Sequence, residues 1–83
     1  MLERSTLHDI GQFVMARIDD EVRRADEAGD KPALSYALGS RDVVAAIRRD
    51  IDARPWARDE VSRYLLRTAR LHRRHPEYRE WWG

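Results

Sequence analysis

The chain has no cysteine among its 83 residues. Disulfides, thiolate nucleophiles and cysteine-based zinc sites are therefore excluded, and nothing in the composition points to an oxidising compartment. Lysine is nearly absent too: Lys31 stands against fifteen arginines. The four glycines are scattered, so there is neither a G-x-x-x-x-G-K-[ST] phosphate loop nor a G-x-G-x-x-G turn. Ser5, Ser35, Ser40 and Ser62 all lack a G-x-S-x-G setting. Apolar runs are short, and none approaches the roughly 20 residues that span a bilayer. The opening Met1-Leu2-Glu3-Arg4-Ser5 lacks the apolar centre of a secretory signal. The cytoplasm is the expected location, and no membrane partner is expected.

What is present is charge of both signs, 37% of the residues, with a net of only +1. The near balance hides an asymmetry. Residues 1–30 hold eight acidic and four basic side chains, whereas residues 54–75 hold seven basic and two acidic. A chain of this length makes a single domain over residues 1–83. Its one small core supplies about 3–5 kcal/mol of net stability, which self-association or a partner would supplement.

The apolar spacing is helical throughout. Leu7, Ile10, Val14, Ile18, Val22 and Ala25 form one stripe, with Phe13 alongside, and predict a first helix over residues 6–28. Thr6 with Asp9 suggests a capping-box start, and Gly29 suits a left-handed stop. Residues 31–40 admit two readings: a short helix from Pro32 to Leu38 stopped by Gly39, or a loop pinned by Leu34, Tyr36 and Leu38. A second helix is expected over residues 41–53, with Ser40 as N-cap and Val43, Val44, Ile47 and Ile51 inward. Arg54-Pro55 breaks the pattern. A third helix is expected over residues 56–75, burying Ala57, Val61, Tyr64, Leu65, Thr68, Leu71 and His72, with Trp56 also in the core. Residues 76–82 form a last short turn, in which Tyr78, Trp81 and Trp82 lie at i, i+3 and i+4. The expected fold is all-α: a small three-helix bundle with a short C-terminal helical turn.

The feature with most functional content is an arginine stripe. Arg63, Arg67, Arg70 and Arg74 step by four, three and four, which places them within roughly a 60° arc of an ideal helix, with Arg73 beside it. Guanidinium groups at that spacing offer bidentate donors to successive carboxylates or phosphates. The competing readings are a solvated face and an internal pairing with Asp19, Asp20, Glu21, Asp26 and Glu27 of the acidic first helix. His72 and His75 have usable zinc-ligand spacing, with Glu77 and Glu80 nearby, but a third protein ligand is wanting, and no metal or other cofactor is expected. Carboxylate pairs such as Asp59-Glu60 are what a chain this charged contains by composition, and no enzymatic activity is expected.

The segment His75-Pro76-Glu77-Tyr78-Arg79-Glu80-Trp81 resembles the C-terminal signature of a family of small proteins of unknown function from actinobacteria and their phages, which ends near His-Pro-Asp-Tyr-Arg-Glu-Glu-Trp. Phe13-Val14-Met15-Ala16-Arg17-Ile18-Asp19-Asp20-Glu21 and the stretch over residues 41–51 resemble its helices more loosely. This chain has Trp82 where an acid-then-Trp ending is usual, and it lacks the longer insert of many members. The resemblance implies an actinobacterial or actinophage origin and carries over no catalytic residue.

These observations lead to a non-enzymatic protein–protein interaction module, as a phage or mobile-element regulator of a host protein or through self-association. Arg63, Leu66, Arg67, Arg70, Arg74 and Trp82 are its expected contacts. The alternative is a nucleic-acid-binding protein that uses the arginine-rich third helix. Against it, Asp59 and Glu60 lie at the end of that helix that would enter a groove.

Overall fold

Two long antiparallel helices carry the structure, a computed structural model that describes residues 2–83. Helix α1 spans Arg4–Ala28 and α2 spans Lys31–Ala53. A 3₁₀ turn at Pro55–Ala57 leads into α3, Arg58–Arg70, and a second at Glu80–Trp82 closes the chain. No strand occurs among the described residues. The architecture is the expected small helical bundle, with α1 at its centre against both α2 and α3.

The α1–α2 connection follows local chemistry. Gly29 adopts φ 67°, and its N–H and that of Asp30 satisfy the last carbonyls of α1 at Asp26 and Ala25. Asp30 then caps α2: its Oδ1 accepts from Ala33 N at 3.1 Å, with Pro32 in the first turn. The start of α1 differs from expectation. The helix begins at Arg4 after Glu3, without a side-chain cap, and Thr6 is buried within it. The Thr6–Asp9 capping box is not formed.

The larger correction is α2. Neither reading of residues 31–40 holds, because α2 runs unbroken from Lys31 through Gly39 and Ser40. Ser40 is mid-helix and not an N-cap. Glycine in a helix costs about 1 kcal/mol. Burial of Ala37, Val44 and Ile51, a heptad series against α1, offsets that cost. Val43, expected inward, is exposed, since it lies on the flank of this longer helix.

Arg54 leaves the helical region before Pro55, at φ −132° and ψ 71°, as the steric demand of a following proline requires, and ends α2. Helix α3 is shorter than expected at both ends. Its buried ridge is Val61, Leu65 and Ala69, with Ser62. It keeps Val61 and Leu65 of the expected face, whereas Ala57, Tyr64, Thr68 and His72 are only half-buried, with Tyr64 at the margin of the core. Leu71 is 78% exposed and Trp56 80% exposed. Both were expected in the core. Trp56 lies in the 3₁₀ turn ahead of α3 and not on the helix itself, so the period of α3 does not carry it inward.

After Arg70 the backbone tightens. Leu71, His72, Arg73 and His75 donate to carbonyls three residues back. The chain then folds over α1, where Phe13 is the hub of an aromatic cluster. Its ring lies 5.4 Å from Trp82, 6.0 Å from Tyr78 and 5.6 Å from His75, each edge-on. The core is Leu7, Ile10, Phe13, Val14 and Ile18 of α1 against Val44 and Ile51 of α2, Val61, Leu65 and Ala69 of α3, and Trp82.

Candidate functional site: the outer face of α3

Helix α3 buries one small-residue ridge and turns the opposite side to solvent. That side carries Arg63, Arg67 and Arg70, all exposed. Arg74 is also exposed but lies beyond the α-helix, where the tighter turns change the angular step. The four-arginine stripe is therefore three arginines on a helix plus a group at its C-terminal end. There, Arg70, Arg73 and Arg74 share an open concavity with Tyr78, Glu80 and Gly83. Arg70 donates to the Gly83 carbonyl at 2.7 Å, which ties this helix to the end of the chain.

The internal-pairing reading fails. Asp20 of α1 is held by Arg17 at 3.5 Å and Arg23 at 2.8 Å. Asp19 takes Arg41 of α2 at 3.3 Å, and Glu21 faces His72 at 3.8 Å. Among the described residues none of Arg63, Arg67, Arg70, Arg73 and Arg74 forms an ion pair, although acidic side chains elsewhere do. The hydrogen bond from Arg23, supported by the charges of Arg17 and Arg24, holds the Asp20 carboxyl below the ordinary aspartate value despite partial desolvation. Asp19, Asp20 and Glu21 thus have partners outside the arginine stripe.

Two expected contacts are placed otherwise. Trp82 is only 5% exposed and packs on Phe13 and Tyr78, so it is a core residue and not a surface anchor. Trp81 turns outward at 67% exposed, because consecutive residues of a 3₁₀ turn point about 120° apart. Leu66 is half-buried under the chain end: a Cβ on Gly83 would lie 3.5 Å from its Cδ2. Leu71, assigned to the core by periodicity, is instead the exposed apolar side chain among the arginines.

Arg17 was missed as a structural residue. Its guanidinium stacks on Phe13 at 5.3 Å, abuts His75 Nε2 and reaches Glu77 at 4.0 Å. Glu77 N donates to His75 Nδ1 at 3.0 Å. Arg17 therefore fastens the His75–Glu77 stretch of the chain end to α1. Its position beside Phe13 was the available signal, since i and i+4 share a helix face. His72 and His75 point to different partners, and among the described residues no group of three or more His, Asp or Glu side chains is arranged to hold a metal ion.

No helix of the described residues is long and apolar enough to cross a membrane. Comparison with protein-family models, curated proteins and solved structures finds no match to this chain.

Proposed function

We propose that this protein is a non-enzymatic protein–protein interaction module whose contact surface is the outer face of α3. The observation that carries the reading is the run of exposed arginines, Arg63, Arg67, Arg70 and Arg74, none of which pairs with an Asp or Glu side chain among the described residues. Residues 61–75 contain five arginines and no acidic residue. Exposed Leu71 adds an apolar contact among them. Arginine with isolated apolar side chains is the composition of a protein interface, and the expected partner surface is acidic. The resemblance of residues 75–81 to an actinobacterial and actinophage family supports a role as a phage or mobile-element regulator of a host protein, with the cytoplasm as the expected location.

The test is affinity capture from nuclease-treated actinobacterial lysate, with Arg63→Ala/Arg67→Ala as control. These two side chains are exposed and have no hydrogen-bond or ion-pair partner among the described residues, so the variant keeps its helical signal. A captured acidic protein that the variant loses, by tenfold or more, supports the reading. Equal capture by the variant rejects this face.

The second reading is binding to nucleic acid, favoured by the same unpaired guanidinium groups. It requires affinity that falls steeply with salt, with a slope reduced by about one per arginine removed. Asp59 and Glu60 in the first turn of α3 oppose it by repelling phosphates.

A further inference from the structure

The groove between α1 and α2 that seats α3 does not end where α3 ends. Glu21, which His72 touches at 3.8 Å, also lines the near end of an open continuation of that groove. Its floor is Ala25, Ala28, Ala33 and Ala37, and its wall is Tyr36, which is 76% exposed. On α2, Tyr36, Ser40, Val43 and Ile47 share one side at helical spacing. Ile47 packs against the core, and Val43 and Tyr36 continue its line into the uncovered half. Alanine is the residue that lets a third helix lie close on a pair, as Ala69 does where α3 is seated.

The uncovered half has the charge that the outer face of α3 lacks. Residues 19–30 hold six carboxylates against Arg23 and Arg24. Glu21 and Asp30 line the groove itself, with Arg24 as the cation of its lining. Lengths agree as well. From Glu21 to Ala28 is eight residues of helix, about 12 Å, and Arg63 to Arg70 is the same span.

We infer that the groove's occupant is α3 of a second copy of this chain. This rests on the reading of the α3 outer face as a contact surface and names the partner. Because groove and α3 lie on the same side of the α1–α2 layer, a two-fold axis places each copy's α3 over the other's groove at once. The contact is reciprocal and closed, so it makes a dimer and not a filament. Leu71 and the aliphatic stems of Arg63, Arg67 and Arg70 cover the alanine floor beside Tyr36. The guanidinium groups reach Glu21 and Asp30 of the other copy.

Sedimentation equilibrium of the intact chain over a dilution series at low salt tests this. The expected result is a mass twice the 9.8 kDa of the chain, reverting to one on dilution and on raising salt. Tyr36→Arg, at an exposed position, and Arg63→Glu/Arg67→Glu are each expected to be monomeric with unchanged helicity. An equimolar mixture of Arg63→Glu/Arg67→Glu with Glu21→Arg restores the doubled mass, because the charges then complement between copies. A wild-type monomer at every concentration, or a dimer indifferent to both Tyr36→Arg and the arginine reversal, overturns the inference. Partner capture by a strictly monomeric protein would leave the α3 contact surface standing while removing the second copy as its partner.

Discussion

At the scale of the residue, Phe13 does the most. It is the single phenylalanine, and it links α1 to Tyr78 and Trp82 of the chain end and to His75. Phe13→Ala removes the hub of that cluster and is expected to cost about 3–5 kcal/mol in urea unfolding, most of the stability of a domain this small. Trp81→Ala is expected to change the same measurement by about 0.5 kcal/mol or less, since the side chain is mostly in solvent. Asp52 provides a pH test. The hydrogen bond from Arg4 holds its carboxyl below the ordinary value of 3.8, desolvation opposing, with a further bond to His8 at 3.1 Å. A carboxylate whose folded pKa is depressed stabilises the fold fully above its unfolded value and loses that contribution as pH falls through the folded value. Asp52→Asn should therefore melt lower than wild type at neutral pH, with the gap closing as the pH drops below 3.8.

At the scale of the element, two glycines of the α1–α2 hairpin should respond with opposite signs. Gly29 has φ 67° and closes α1. Gly29→Ala imposes left-handed strain on a side chain and is expected to cost about 1 kcal/mol. Gly39 lies inside α2 with open space where a Cβ would go. Gly39→Ala is expected to stabilise by about 0.5–1 kcal/mol, because alanine loses less conformational freedom in a helix. Thermal melting of the two variants checks both, and a destabilised Gly39→Ala would contradict a continuous α2. The narrowing of the buried face of α3 belongs to this scale as well. Of the expected face, Val61 and Leu65 are buried and Tyr64, Thr68 and His72 half-buried, but Leu71 is exposed. Helix α3 ends at Arg70, and the tighter turns that follow change the angular step on which the expectation for Leu71 rested.

At the scale of the whole molecule, the extents of 40 × 27 × 15 Å describe an elongated, flat shape. Its two ends are unequal. Around Phe13, helix α1 is covered by α2, α3 and the chain end. Beyond Glu21 the α1–α2 hairpin continues alone, with Ala25 and Ala37 as its buried apolar residues. Amides of residues 22–40 are therefore expected to exchange hydrogen faster than those of residues 7–18, because local opening follows buried apolar contact. Docking of a second copy on the hairpin would slow them as concentration rises, so exchange measured at two concentrations reads the asymmetry and the dimer together.

The sequence by itself determined the helical class, the inward stripe of α1, the break at Arg54-Pro55, the stop at Gly29 and the arginine spacing within α3. Each is a local property: a period, a fixed φ or a side chain adjacent to its own backbone. Tertiary structure decided what depends on a second element. Helix α2 passes through Gly39 and Ser40 because α1 offers Ala37 and Val44 a surface to bury against. Which of two tryptophans goes inward was settled by where Phe13 lies. Sequence also left open whether the arginines are free, since a charge finds a partner through space and not along the chain. Only the packed molecule shows that Arg17, Arg23, Arg41 and His72 contact Asp19, Asp20 and Glu21 of α1 and that Arg63, Arg67, Arg70 and Arg74 face outward.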